Sequence, residues 1–192
     1  MLSLNYKLVL GSKSPRRVEL LEKSGLEFEQ RVIETDESYP SSLGVEWIAQ
    51  HIAEAKAEAH SASISPSELV LTADTIVVHK GKVYGKPKTE QDAIDTLTIL
   101  SGSNHLVYTG VCLYTLDKRH SFSVKSEVLF SSLAESEIRW YIEEYKPFDK
   151  AGSYGIQDWI GNVKINSING SYTNILGLPM GQVYTALQDF NR

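Results

Sequence analysis

Lys7-Leu8-Val9-Leu10-Gly11-Ser12-Lys13-Ser14-Pro15-Arg16-Arg17-Val18-Glu19-Leu20-Leu21 reads as a short buried strand, a tight loop and a helix in succession. Ser14 stands as the N-cap with Pro15 at the first helical position, a favoured arrangement. Val18, Leu20 and Leu21 give the helix its apolar face, and Gly25 stops it.

Working outward, Phe28 to Ile33 reads as a second strand, followed by the acidic loop Glu34-Thr35-Asp36-Glu37. Val45 to roughly Ala62 is alanine-rich and helical. Leu69 to Lys80 is an extended apolar segment, and Gly81 begins a return arm through Val83 and Tyr84, a hairpin. Glu90 to Leu100 is helical. His105 to Leu116 and Arg119 to Phe130 are long strands joined by Asp117-Lys118, and Leu133 to Tyr145 is a helix with an acidic first turn. A glycine-rich stretch leads to a strand over Val163 to Ile168, and Met180 to Phe190 closes the chain as a helix. The expected fold class is α/β: a single domain over 1–192 with a central mixed β-sheet flanked by helices. There is no internal repeat or low-complexity tract.

The totals narrow the function. A net charge of -5 argues against a broad basic face for nucleic acid, because such binding needs many Lys and Arg contacts to phosphate. It leaves room for one nucleotide, which needs only a local cluster of cations. The single cysteine, Cys112, lies in the apolar run Val111-Cys112-Leu113 and reads as core filler, with no disulfide framework and a reducing cytosol as the natural compartment. Neither a signal peptide nor an apolar run of the ~18 residues a membrane span requires is visible, so a soluble cytoplasmic protein with no membrane partner is expected. The five histidines lack metal-ligand spacing, and neither a G-x-S-x-G elbow nor a G-x-x-x-x-G-K-[ST] loop occurs.

Three charged segments remain. Arg16 and Arg17, with Lys13 before them, sit where a helix start already carries unpaired N–H groups and a positive dipole end. A bound anion turns that penalty into attraction; the alternative is a solvated pair bonded to Glu19 or Glu22. Asp74 lies inside the apolar strand Val70 to Val78, where a buried carboxylate needs a cation, a metal or hydrogen bonds. A salt-bridged core Asp or a bulge facing water is its structural alternative. Lys86 is fixed between Gly85 and Pro87, and Lys56 has Ile52, Ala53 and Ala59 as helix neighbours, so its stem lies inward or snorkels to water. In Asp149-Lys150-Ala151-Gly152-Ser153-Tyr154-Gly155-Ile156-Gln157, the glycines allow close backbone approach and Gln157 offers an amide suited to a base edge.

Taken together, these segments resemble the Maf family of nucleoside triphosphate pyrophosphatases from end to end. The matching stretches are Leu10 to Leu21, Ala73 to Val78 through Gly85-Lys86-Pro87, Leu100-Ser101-Gly102, Asp149 to Gln157, and Gly170-Ser171-Tyr172 to Gly177-Leu178-Pro179. One departure is Gly11, where the family commonly has alanine; it reads as added backbone freedom. The resemblance implies cleavage between the α- and β-phosphates, a fold like that of inosine-triphosphate pyrophosphatases, a divalent cation, and often a homodimer. By position Asp74 matches the family's proton acceptor, and Arg17, Thr75 and Gln157 match positions associated with preference for uracil or thymine nucleotides.

The expected chemistry is attack by water on the α-phosphorus of dTTP or UTP, with Mg²⁺ or Mn²⁺ bridging phosphate oxygens. Arg16, Lys56 and Lys86 neutralise the triphosphate, and Ser14 with its helix start holds part of it. Asp74 serves as base or metal ligand, and Glu37 is a further metal ligand or a solvated loop carboxylate. Competing readings are a 7-methyl-GTP or broad house-cleaning hydrolase and, in another class, a nucleotide-binding regulator of cell division.

Overall fold

The structure, a computed structural model, describes residues 2–191. Strand β1 (Lys7–Leu10) runs into helix α1 (Pro15–Lys23), as the opening stretch predicts. β1 pairs in parallel with β3 (Glu68–His79), Leu8 opposite Leu69 and Leu10 opposite Leu71, and on its other side with β2 (Glu29–Gln30). Leu8, Val9 and Leu10 are all buried, the pattern of a parallel strand covered on both faces. β4 (Lys82–Tyr84) pairs antiparallel with the end of β3, so the expected hairpin is present. With β5 (Asn104–Tyr114), β6 (Arg119–Phe130) and β7 (Ile165–Asn169), the mixed seven-stranded sheet has the order β2-β1-β3-β5-β6-β7, with β4 on β3.

The helices are α2 (Val45–Glu58), α3 (Glu90–Leu100), α4 (Glu135–Tyr145), α5 (Trp159–Val163), α6 (Tyr172–Leu176) and α7 (Met180–Phe190). Several expectations need correction. The second strand shrinks from Phe28–Ile33 to Glu29 and Gln30. α2 stops at Glu58 rather than Ala62, because His60 and Ser61 donate to carbonyls three residues back and the chain tightens into turns. Val163, taken as the start of a strand, ends α5 instead, and neither α5 nor α6 was foreseen.

The chain divides into two compact units. One comprises residues up to Asp74, Thr109–Val124 and the chain from Gly177; the other comprises Thr75–Tyr108 and Lys125–Leu176. Each has its own core. In the first, Leu8, Leu10, Leu69, Leu71 and Leu113 pack with Leu21 and with Val183, Leu187 and Phe190 of α7. In the second, Leu97 and Leu100 of α3 pack with Val107, Val128, Phe130, Ile138 and Tyr141.

Two close approaches fix the first unit. A Cβ at Gly110 would lie 2.2 Å from the backbone of Ala49, so α2 is pressed onto β5 where only glycine fits. A Cβ at Gly11 would meet His60 Nε2 and Thr72 Cγ2 at 2.8 Å. Gly11 has no positive φ, so backbone freedom does not explain it. The buried His60 imidazole occupies the space a methyl group would need. Cys112 is buried beside Ala53 and Ala57, and burial pushes its thiol up to about 12, as core filler should behave.

Candidate active site

β3 carries Asp74 as its last residue within the first unit, and every residue from Glu68 to Asp74 is buried. That placement makes a partner for the carboxylate obligatory. α2 supplies it: Lys56 Nζ lies 2.7 Å from Asp74 Oδ1 and 2.7 Å from Glu37 Oε1, so one ammonium bridges two carboxylates. Lys56 therefore directs its ammonium onto the strand carboxylate instead of snorkelling into water. The side chains of Lys56 and Asp74 are only 15% and 12% exposed, whereas Glu37, on the acidic loop, is half-exposed. Thr72, two residues before Asp74, donates its hydroxyl to Ala53 O at 2.6 Å and locks α2 to β3 at the level where Lys56 crosses.

At the start of α1, Ser14 is the N-cap and Pro15 the first helical residue, but the Ser14 hydroxyl makes no capping bond. The Ser14 N–H instead donates to Ser12 Oγ at 3.2 Å. Arg16 is half-buried. Arg17 turns inward: its Nε donates to Gly177 O at 2.7 Å and one Nη donates to Ser12 Oγ at 3.0 Å. Glu19, the acid offered as an alternative partner for these arginines, pairs with Lys23 at 2.5 Å. Burial pulls the Arg17 guanidinium below its usual range, while the charge of Asp74 opposes this, Arg16 reinforces it, and Glu37 again opposes it. The arginine remains a cation at neutral pH. Ser14, Arg16, Arg17, Glu37, Lys56 and Asp74 all belong to the first unit.

The two carboxylates, Asp74 and Glu37, suit a small hard cation. Mg²⁺ takes one or two carboxylates and completes its shell with water and substrate phosphate oxygens. Among the described residues no group of three or more His, Cys, Asp or Glu converges into a complete protein cage.

Thr75, Lys86 and Gln157 belong to the second unit. Thr75 follows Asp74 on β3 and is partly buried, while Lys86 and Gln157 are exposed. Here the structure joins two of the charged segments: Gly152 N–H donates to Gly85 O at 3.1 Å, tying the glycine loop to the turn that carries Lys86. The loop is built from two short 3₁₀ turns, Pro147–Asp149 and Ala151–Ser153. Gly152 has φ +68°, and a Cβ there would sit 2.7 Å from Val77 Cγ2.

Sequence reading missed four groups that hold these residues in place: the Ser12 hydroxyl and Gly177 carbonyl around Arg17, and Tyr141 and Asp158 around Gln157. Tyr141 carried a usable signal. It shares the inward face of α4 with Ile138 and Ile142, and a buried phenol there needs a hydrogen-bond partner.

The family model described as "Maf-like protein" matches residues 7–190. A Bacteroides fragilis protein named "dTTP/UTP pyrophosphatase" is 49% identical over 184 residues, covering 95% of each chain. Proteins of the same name from Porphyromonas gingivalis and Flavobacterium psychrophilum are 44% and 43% identical, covering 96% and 95% of this chain and 94% of their own. Among solved structures, the Ham1 protein of Staphylococcus aureus is similar over 65% of this chain and 71% of its own, with a TM-score of 0.48 and 12% identity. With its strand acid, its arginine helix start and its glycine loop all inside the matched region, the chain belongs to the Maf-like protein family.

Proposed function

We propose that this chain is a nucleoside triphosphate pyrophosphatase that hydrolyses dTTP and UTP to the nucleoside monophosphate and pyrophosphate. The observation that carries it is the Asp74–Lys56–Glu37 cluster, two carboxylates on one mostly buried ammonium, set in a chain 49% identical to a protein of that name.

The bond formed joins a water oxygen to the α-phosphorus. The bond broken joins that phosphorus to the oxygen bridging to the β-phosphate, and pyrophosphate leaves with the electron pair. Asp74 accepts the proton of the attacking water, and its ion pair with Lys56 holds the carboxylate in one orientation. Lys56 and Arg16 offset charge on the triphosphate, and the N–H groups beyond Ser14 bind phosphate oxygens. Asp74 and Glu37 would hold Mg²⁺ or Mn²⁺, whose positive charge would offset that of the triphosphate.

Base choice follows from the hydrogen bonds offered. Gln157 presents an exposed amide that donates and accepts, and Arg17 sets Ser12 and the Gly177 carbonyl in place. Thr75 matches a family position associated with preference for uracil or thymine, and Lys86 adds a cation for the triphosphate. A missing partner at such a group costs about 1–3 kcal/mol, enough to rank bases but not to make the enzyme absolute.

Product analysis with a panel of UTP, dTTP, CTP, GTP and 7-methyl-GTP in Mg²⁺ tests the proposal. UMP, dTMP and pyrophosphate as the fastest-formed products support it. Release of inorganic phosphate, or fastest turnover of 7-methyl-GTP, contradicts it.

A further inference from the structure

Gln157 is exposed, yet the backbone around it is held on every side. The Gly155 N–H donates to the Tyr141 hydroxyl at 3.0 Å, and that hydroxyl donates to Asp158 Oδ2 at 2.7 Å. The Asp158 N–H returns to Gly155 O at 3.1 Å, closing a loop of bonds across Ile156 and Gln157. Asp158 is the N-cap of α5 but makes no side-chain capping bond. An Asp at that position ordinarily accepts from the first helical N–H groups; here its carboxylate is turned to Tyr141 instead. Gly161 adds a third restraint, because a Cβ there would lie 1.7 Å from Ile156 O. Tyr141 is fully buried and the Asp158 side chain only 11% exposed, so the frame excludes solvent while the amide it carries does not.

We infer that Tyr141 and Asp158 are positioning residues for Gln157, clamping the backbone on both sides so that its amide meets the base in one orientation. The inference rests on the base-reading role given to Gln157 above. A frame of this kind lowers the ordering cost of binding and sharpens discrimination between bases, while leaving the attack on phosphorus to other groups. Tyr141→Phe keeps the ring but strips partners from the Gly155 N–H and the Asp158 carboxylate. Asp158→Asn keeps an oxygen that accepts from Tyr141.

The test measures kcat and KM for UTP and GTP in the wild type, Tyr141→Phe, Asp158→Ala, Asp158→Asn, Gln157→Ala and the double variant Tyr141→Phe/Gln157→Ala, with a thermal melt for each. Expected are a roughly tenfold fall in the UTP:GTP ratio of kcat/KM for Tyr141→Phe and Asp158→Ala, the size of one lost hydrogen bond, with the loss falling on the UTP KM. Asp158→Asn should restore most of the ratio, and the double variant should match Gln157→Ala. If Tyr141→Phe does not fold, Asp158→Ala and Asp158→Asn decide the matter by the same ratio. An unmoved ratio in a folded variant, or a double variant less selective than Gln157→Ala, overturns the inference alone. A wild type that releases no pyrophosphate overturns the proposed function and the inference with it.

Discussion

Lys56 Nζ stands 2.7 Å from Asp74 Oδ1, with both side chains largely withdrawn from solvent. Replacing the lysine leaves Asp74 and Glu37 without the cation between them, and breaking such a pair costs up to about 3–5 kcal/mol. Lys56→Met is therefore expected to melt well below the wild type, and added Mg²⁺ is expected to recover part of the loss by offsetting the charge of the two acids. Thermal melts with and without Mg²⁺ measure this, and equal melting of variant and wild type in EDTA would count against it. Asp74→Asn retains an oxygen for Lys56, so it should fold normally while losing turnover by at least about 100-fold, the usual scale for a general base.

Arg17 holds Gly177 O and Ser12 Oγ through two arms of a planar guanidinium. Lysine cannot reproduce that fork, so Arg17→Lys is not a conservative change. Chemical denaturation should show a loss of about 1–3 kcal/mol, because a buried carbonyl and hydroxyl lose their donor. The UTP:GTP ratio should fall as well.

Arg31 grips Glu68 through two bonds of 2.7 and 3.0 Å, and the Ser65 N–H adds a third to the same carboxylate. The bond from Arg31, then that from Ser65, draws the Glu68 carboxyl from 4.5 down to about 2. A folded-state value below the unfolded one adds stability that is complete above pH 4.5 and lost as pH falls through 2. Glu68→Gln should flatten the fall in stability across that window, and an identical acid profile for both proteins would contradict the assignment.

Adjacent residues in the glycine loop should respond in opposite directions. Ser153 is buried at φ +63°, with no hydrogen-bond partner for its hydroxyl among the described residues, so Ser153→Gly relieves a left-handed conformation worth about 1 kcal/mol. Gly152→Ala imposes both a φ of +68° and a Cβ 2.7 Å from Val77 Cγ2, and should destabilise by more than about 1 kcal/mol. Urea titration of both variants checks the signs.

Periodicity and capping made much of the fold readable. α3 and α7 fall on the residues expected, and the hairpin of β3 and β4 is where Gly81 announced it. α5 and α6 escaped because a five-residue helix completes too few turns for an apolar stripe to emerge. β2 was overestimated because Phe28 packs against the first core without joining the strand pairing, which is confined to Glu29 and Gln30. Asp74 was legible as a charge inside an apolar strand, and Lys56 as a lysine among alanines. That the two meet, and that Glu37 joins them from a loop, depends on α2 crossing β3 at one place, fixed by Gly110 against Ala49 and Thr72 against Ala53. The inward turn of Arg17 depends on a carbonyl 160 residues away, which no local pattern encodes.

The most direct test of the proposed chemistry is hydrolysis of UTP in H₂¹⁸O with the products separated and weighed by mass spectrometry. Attack on the α-phosphorus, with Asp74 taking the proton, places the label in UMP and leaves pyrophosphate unlabelled. Label in pyrophosphate, or UDP and inorganic phosphate as the products, would contradict it.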